Sequence, residues 1–263
     1  MEKYKISYAC ATNIGNVRRE NQDNFYIDGK IISSENEAFS GVFENAQIIA
    51  AVCDGMGGEA NGKDASLLAA KRVGEADADI SRGKVTDTDK LILSYISLAN
   101  EDVYEMSKRT GEIGGTTINV VYINGKTASS YNLGDSRTYL YRDGTLTQLS
   151  RDHTTVADMV RLGALSEEEA LRHPRRNQLN QYVGMPTKQY KLDPHVLRDF
   201  ELRDDDILLI CSDGLTDMCG KPEIIAMLSA EKELKEIADD LMNSALEHGG
   251  KDNITVILLR LKE

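Results

Sequence analysis

Residues 48–58 of the chain read IIAAVCDGMGG. The first part of this stretch is apolar and β-branched, and it ends abruptly at an Asp-Gly pair followed by more glycines. A short, continuous apolar run bounded by turn residues is typical of a buried strand, because a helix of this apolarity would extend further. Residues 48–53 therefore predict a strand inside a layered core, with Asp54 directly after it.

Other apolar runs predict strands at residues 118–123, 207–211 and 254–261. Two dipeptides, Asn124-Gly125 and Asp143-Gly144, are of the type that closes tight β-hairpins, since both turn positions need a positive φ. Neighbouring strands are therefore expected to be mostly antiparallel.

Helical periodicity covers about residues 63–75, about residues 89–108 and a segment after Ser229. The strands come in runs with the helices grouped between them. This order disfavours a doubly wound parallel sheet, in which strands and helices alternate, and favours a layered α+β sandwich. No Pro-, Gly- or Ser-rich linker divides the chain, so residues 1–263 are expected to form a single domain.

Charge and cysteine content exclude several classes of function. The formal net charge of -12 repels phosphate backbones and anionic lipid, which argues against nucleic acid and membrane partners. No apolar segment has the length of a signal peptide or a membrane helix. The cysteines are far apart and form no CxxC pair, so neither a zinc knuckle nor a disulfide framework is indicated. These features predict a cytoplasmic protein.

Carboxylates stand at the ends of the predicted core strands. Asp54 follows the first run, Asp213 follows the run at 207–211, and Asp252 precedes the run at 254–261. In antiparallel neighbours, the end of one strand lies beside the start of the next, so these aspartates are expected to meet at one edge of one sheet. Asp23 precedes another strand-like segment and is expected to join them.

Such a cluster needs a cation, because like charges at close range disfavour ionisation. Ligands that are all oxygen select Mg²⁺ or Mn²⁺ over zinc or copper. Two ions bridged by one carboxylate can activate a water molecule for attack on phosphorus. Asp54 is the candidate bridge, and the Gly55 carbonyl is a candidate ligand.

A simpler interpretation remains for each residue taken alone. A single Asp-Gly is most often a turn, as expected for Asp143-Gly144. Arg18 and Arg19 are of a type usually found as solvated surface charges, although the planar guanidinium of either one suits a phosphate group. The sequence does not choose between these two arginines.

Taken together, the motifs resemble those of the metal-dependent protein serine/threonine phosphatases of type 2C, in their short, stand-alone bacterial form. The match runs nearly end to end. It comprises Arg18-Arg19-Glu20-Asn21-Gln22-Asp23, Asp54-Gly55-Met56-Gly57-Gly58, Gly114-Gly115-Thr116-Thr117, Gly134-Asp135-Ser136-Arg137, Asp152-His153, Cys211-Ser212-Asp213-Gly214-Leu215 and Asp252-Asn253-Ile254-Thr255.

This resemblance implies a four-layer α-β-β-α sandwich, with two central antiparallel sheets flanked by helices. It implies that Asp54 and the Gly55 carbonyl hold two core Mn²⁺ or Mg²⁺ ions. Asp213 and Asp252 would bind one of these ions, and Asp23 would act directly or through water. The expected reaction is hydrolysis of phosphoserine and phosphothreonine by a metal-activated bridging water.

The resemblance also assigns more peripheral roles. Arg18 would bind the substrate phosphate, and Asp135 would help Asp213 to hold a third, weaker metal ion. Residues 154–188 would form a flap subdomain. Met56 stands where animal members have a histidine, often assigned as the general acid, and a thioether cannot donate a proton.

The implied partners are phosphoprotein substrates and a serine/threonine kinase that acts in opposition, and the chain is expected to be a monomer. The alternative is a non-catalytic binding module with the same fold, in which the metals and the phosphate site serve recognition.

Overall fold

A computed structural model describes residues 4–32, 34–44, 47–57, 61–83 and 85–262. Gly58, the last residue of the Asp54 motif, lies outside these ranges. No helix within them is long and apolar enough to cross a bilayer.

The described strands form two sheets in which every pair is antiparallel. The first sheet has the spatial order β10 (Thr145–Gln148), β9 (Arg137–Arg142), β12 (Ile207–Cys211), β13 (Ile254–Lys262), β1 (Lys5–Asn13) and β4 (Glu37–Phe43). The second has the order β11 (His195–Glu201), β8 (Thr127–Leu133), β7 (Ile118–Asn124), β5 (Gln47–Gly57), β2 (Asp23–Ile27) and β3 (Lys30–Ile31), and β6 (Gly114–Thr116) pairs with the end of β5.

Helices cover the outer faces of both sheets. The helices are α1 (Asn61–Ser81), α2 (Thr88–Thr110), α3 (Thr155–Arg161), α4 (Glu167–Leu171), α5 (Asp213–Thr216), α6 (Lys221–Leu228) and α7 (Leu234–Glu247). Apolar side chains of α1 and α2 pack on the second sheet, and those of α6 and α7 pack on the first. A third apolar cluster fills the space between the two sheets. The four-layer α-β-β-α sandwich predicted from the sequence is therefore confirmed.

Local chemistry explains most element boundaries. Gly125 has φ 64° in the β7–β8 turn, and Asp143 and Gly144 have φ 49° and 74° in the β9–β10 turn, so both predicted hairpins are present. The apolar stripe predicted after Ser229 is the buried face of α7, which faces the first sheet. Helix α1 is longer than the predicted 63–75 because its later turns pack small residues such as Ala76 against α2.

Residues 154–188 form no named strand. They contain the short helices α3 and α4, and Ser166 and Glu169 form a capping box at the start of α4. One isolated bridge, from Thr116 of β6 to Val183, joins this segment to the sandwich, and a second, from Thr154 to Leu179, lies within the segment.

Candidate active site

Asp23 and Asp54 come from neighbouring strands of the second sheet and lie directly opposite one another in the β2–β5 register. The sequence suggested that this strand ends just before Asp54, but Asp54 lies within the strand. Strand β5 continues to Gly57 because its last residues pair with the glycine-rich β6. Backbone pairing of this kind needs no side chains, so the hydrophobic pattern did not reveal it.

Asp213 and Asp252 come from the first sheet. Asp213 is the first residue of α5, two residues after the end of β12, and Asp252 lies two residues before the start of β13. The prediction that the aspartates meet at one edge of one sheet is therefore wrong. The two sheets pack face to face, so their strands bring carboxylates from both layers to the same end of the sandwich.

Three of these carboxylates, Asp54, Asp213 and Asp252, line one cavity of about 240 Å³, whereas Asp23 is not among its lining residues. Asp54 comes from the second sheet and Asp213 from the first; both line this cavity, and the charge of Asp213 helps to raise the pKa of Asp54. The cavity lining is mostly polar and includes Arg18, Gln22, Asp54, Gly55, Met56, Gly57, Thr117, Asp135, Asn177, Leu179, Asp213 and Asp252.

Burial and mutual repulsion make these groups reluctant to ionise. Burial is the main cause that raises the pKa of Asp23 to about 7 and that of Asp213 to about 6, from an ordinary value of 3.8. Burial, followed by repulsion from Asp23 and Asp213, holds the pKa of Asp54 well above its usual range. The cluster therefore lacks the positive charge that its carboxylates need at neutral pH.

The donor atoms fit a hard divalent cation. Asp23 is 1% exposed, its Oδ2 accepts a 2.7 Å hydrogen bond from the Ser212 hydroxyl, and its Oδ1 has no hydrogen-bonding partner among the described residues. A buried carboxylate oxygen without a partner is costly. An all-oxygen set with one such free atom suits Mg²⁺ or Mn²⁺.

Gly55 allows three backbone segments to meet beside this cluster. A Cβ on Gly55 would lie 2.2 Å from the Gly62 carbonyl oxygen and 2.5 Å from that of Gln22. Its own N–H donates to the Gln22 carbonyl at 3.1 Å. A side chain at position 55 would therefore push apart α1 and the strand that carries Asp23.

Arg18, and not Arg19, lines the cavity. The Arg18 guanidinium donates to Asp252 Oδ2 at 2.6 Å and is half-exposed. This hydrogen bond raises the Arg18 pKa further, and the charges of Asp54 and Asp213 add to the effect. Arg18 is thus a cation at the mouth of an anionic cavity.

Asp135 lies in the loop between β8 and β9, at the border of the cavity and a second groove of about 590 Å³. Burial and repulsion from Asp213 hold its pKa well above the usual range. The groove continues between the sandwich and helices α3 and α4. Arg176 and Asn177 bind the Asp217 carboxylate at 3.2 and 3.3 Å and so hold residues 154–188 against α5.

Several residues that position the aspartates were not singled out from the sequence. The Asn253 amide accepts from the Gln22 N–H at 2.8 Å and donates to the Glu20 carbonyl at 3.0 Å. The Thr117 hydroxyl accepts from the Asp54 N–H at 2.9 Å. Both side chains are uncharged, so neither stands out as a candidate ligand. The only signal in the sequence is that Asn253 belongs to the motif that begins at Asp252 and Thr117 to the motif that begins at Gly114.

Glu35 was missed because it falls in a segment for which the sequence suggested no role. Its carboxylate accepts from the Asn21 N–H and from Lys63 Nζ, the latter at 2.8 Å. The Asn21 side chain in turn donates to the Glu35 carbonyl at 3.1 Å. The segment around β3 and β4 therefore holds the loop that leads from Arg18 to Asp23.

Comparisons with known proteins agree with this geometry. A family model described as Protein phosphatase 2C matches residues 34–258. The serine/threonine phosphatase stp of Listeria welshimeri serovar 6b is 34% identical over 249 residues, covering 89% of this chain and 94% of its own. The Streptococcus agalactiae serine/threonine phosphatase structure has a TM-score of 0.82 at 31% identity and covers 98% of this chain and 100% of its own.

A further structure, the catalytic domain of the serine/threonine protein phosphatase PstP in complex with 2 manganese ions, has a TM-score of 0.80 at 27% identity. The match covers 99% of this chain and 100% of that one. The family match, the end-to-end similarity and the two-sheet carboxylate cavity lead to one conclusion: the chain belongs to the protein phosphatase 2C family.

Proposed function

We propose that Asp54, Asp213, Asp252 and Asp23, with the Gly55 carbonyl, hold two Mn²⁺ or Mg²⁺ ions and that this centre hydrolyses phosphoserine and phosphothreonine with a bridging water. The chain is a metal-dependent protein serine/threonine phosphatase, in keeping with its family and its relatives. The single observation that supports the residue assignment is the meeting of carboxylates from two sheets in one cavity, where burial and the neighbouring carboxylates raise the pKa of Asp54. When bound, the ions supply a water of lowered pKa and neutralise charge on the phosphoryl group.

Each aspartate has a different proposed role in metal binding, which depends on its position. Asp54 and Asp213 line the cavity from different sheets, and Asp54 would be the ligand that the two ions share. Asp252 is the most exposed of the set, with 37% of its side chain accessible, and it can bind an ion while also holding Arg18. Asp23 is fully enclosed, and its free Oδ1 can act on an ion directly or through a water molecule.

Among the described residues that line the cavity, none is a histidine. Met56 lines the cavity but carries no acidic proton. His153 is buried, its Nδ1 accepts from the Gly134 N–H at 3.2 Å, and it does not line the cavity, so its role is structural. Protonation of the leaving group therefore falls to solvent in this proposal.

Arg18 is the proposed ligand of the substrate phosphate. Its guanidinium donates to Asp252, and it has further N–H groups that can donate to a phosphate dianion. Arg18→Ala is expected to raise KM about tenfold or more with a smaller change in kcat, because a charge-assisted hydrogen bond to bound substrate is lost. Steady-state kinetics on a phosphothreonine peptide measure this split. Arg19→Ala is the matched control and is expected to leave both constants near their original values. Unchanged constants in Arg18→Ala would remove Arg18 from the phosphate site.

Asp135 is the proposed ligand, together with Asp213, of a third and weaker ion. Asp135→Asn is expected to remove the weakest Mn²⁺-binding event and leave the two core events in place, because Asp135 borders the cavity from the outside. Calorimetric titration of metal-free protein with Mn²⁺ measures the stoichiometry. Loss of a tight event instead would place Asp135 in the core centre.

Residues 154–188 are proposed to act as a flap that forms one wall of the substrate groove. The groove next to the cavity is lined by both charged and apolar side chains. It has room for substrate residues that precede or follow the phosphoserine in the peptide chain. We also propose that the chain acts as a monomer in the cytoplasm, in opposition to a serine/threonine kinase. The free, buried cysteines Cys10, Cys53, Cys211 and Cys219 are consistent with a reducing compartment.

The activity is tested by hydrolysis of a phosphothreonine peptide and of p-nitrophenyl phosphate, with EDTA, Mg²⁺ or Mn²⁺ added in parallel. Turnover with Mn²⁺ that EDTA removes, and that is faster on the peptide, is expected. No turnover by folded protein that binds Mn²⁺ would support the alternative of a non-catalytic binding module.

A further inference from the structure

A second cluster of possible metal ligands lies outside the carboxylate cavity. It consists of Cys219, Glu223 and His248, referred to below as the Cys219 cluster. Cys219 lies in the turn between α5 and α6, Glu223 is in the first turn of α6, and His248 caps the end of α7. None of the three lines the carboxylate cavity.

The three side chains converge on the hydroxyl of Ser244. That hydroxyl lies 3.3 Å from Cys219 Sγ, donates to Glu223 Oε1 at 2.5 Å and lies 3.5 Å from His248 Nδ1. Glu223 Oε1 and His248 Nδ1 are 3.7 Å apart, and the ligand atoms of all three residues lie within 4.8 Å of one another. Ligands around a tetrahedral zinc ion are separated by roughly 3.3–3.8 Å, so small side-chain rotations would complete the site.

We propose that the Cys219 cluster binds a borderline transition-metal ion of the Zn²⁺ class, with sulfur, oxygen and nitrogen ligands and a solvent molecule in the fourth position. A thiolate and a carboxylate balance the charge of a divalent ion, and the neutral imidazole completes the protein ligands. This donor set differs from the all-oxygen set of the cavity. The two sites therefore select different metals.

Binding requires two protons to move. The Cys219 Sγ–H bond breaks as the Sγ–metal bond forms, and the proton leaves to solvent. His248 Nδ1 now donates to the Ser244 carbonyl at 2.9 Å, and on coordination that proton is lost from Nδ1 while Nε2 carries one instead. The His248 side chain is 52% exposed, so the ion can enter from solvent past the imidazole. Affinity is consequently expected to rise with pH.

Position in the fold gives the ion a structural effect. Helix α5 begins with Asp213, which lines the carboxylate cavity, and the turn that follows it leads from Asp217 to Cys219. Asp217 binds Arg176 and Asn177 of residues 154–188. An ion at the Cys219 cluster would tie this turn to α6 and α7. We therefore expect the ion to raise the unfolding temperature of the chain.

The test uses Co²⁺ as a spectroscopic probe of the full, reduced, metal-stripped chain, with excess Mg²⁺ present to occupy the oxygen site. We expect a thiolate-to-cobalt charge-transfer band that saturates at one equivalent and disappears on addition of Zn²⁺. Cys219→Ser is expected to abolish the band, and His248→Gln to weaken Co²⁺ binding about tenfold or more. His248 is exposed, so this second variant keeps the test decisive even if Cys219→Ser fails to fold.

Two control variants show whether the charge-transfer band comes from the Cys219 cluster or from the carboxylate cavity. Asp54→Asn removes a cavity ligand and Cys211→Ala removes the buried thiol nearest Asp213, and both are expected to keep the band. The absence of a charge-transfer band in the unaltered chain would overturn the proposal. A band that persists in Cys219→Ser, or that is lost in Cys211→Ala, would overturn it as well by assigning the thiolate to another cysteine.

Discussion

Asp54→Asn is expected to reduce Mn²⁺-dependent turnover by about a thousandfold or more, because the amide cannot bridge two cations as a carboxylate does. The same variant is expected to be more stable than the unaltered chain in EDTA. Asp54 faces Asp23 across the β2–β5 pair and is repelled by both Asp23 and Asp213, so removal of its charge relieves repulsion in the metal-free chain. Peptide hydrolysis and thermal unfolding of the same preparations measure both effects.

Asp143→Asn is the matched control for this substitution. Asp143 lies in the β9–β10 turn with φ 49°, a conformation that Asn also adopts readily, and it does not line the cavity. Its turnover and unfolding temperature are expected to stay close to those of the unaltered chain. Retained Mn²⁺-dependent turnover in Asp54→Asn would contradict the assignment of Asp54 as a bridging ligand.

The metal-free chain is expected to lose stability as the pH rises from about 4 to about 7, opposite to the trend of most acidic residues in ion pairs. Asp23 has a pKa of about 7 in the folded chain and an ordinary value of 3.8 when unfolded, and Asp213 has a folded pKa of about 6. Between these values the folded chain binds more protons than the unfolded chain. The free energy of unfolding therefore falls with rising pH in this window, and the loss is complete above the folded pKa.

The expected size of this effect is large. Each unit of pKa difference corresponds to about 1.4 kcal/mol, so shifts of this size correspond to a change on the order of a few kcal/mol in the free energy of unfolding. Urea unfolding in EDTA at about pH 5 and about pH 7.5 measures the difference. Mn²⁺ is expected to remove it, because an ion that binds only the folded chain stabilises the ionised carboxylates.

One variant tests whether the buried aspartates cause the pH dependence of the free energy of unfolding. Asp23→Asn removes a titrating group while keeping an oxygen that can accept from Ser212, and it is expected to flatten the pH dependence. The Asp143→Asn control is expected to keep the full dependence. A metal-free chain that is more stable at neutral pH than at pH 5 would show that the carboxylates are not held in their protonated forms.

Much of the fold could be predicted from local sequence. Strands β7 and β12, helix α2 and the buried stripe of α7 follow from hydrophobic periodicity, and two hairpins follow from the positive φ that their turn residues tolerate. The identity of the aspartates followed from their positions beside apolar runs and from family motifs. These features depend on residues close together in the chain, where periodicity and turn chemistry act directly.

Only the tertiary structure decided how these residues meet. The Ser212–Asp23 contact joins residues 189 positions apart and depends on how the two sheets pack. The Arg18–Asp252 contact joins residues 234 positions apart and follows the pairing of β1 with β13 within the first sheet. The Cys219 cluster likewise arises from the packing of α6 against α7. The sequence by itself therefore determined the layers and the acidic character of the site. The packing of one sheet on the other decided that its carboxylates come from both, because side chains distant in sequence are brought together by burial of apolar faces and not by any local repeat.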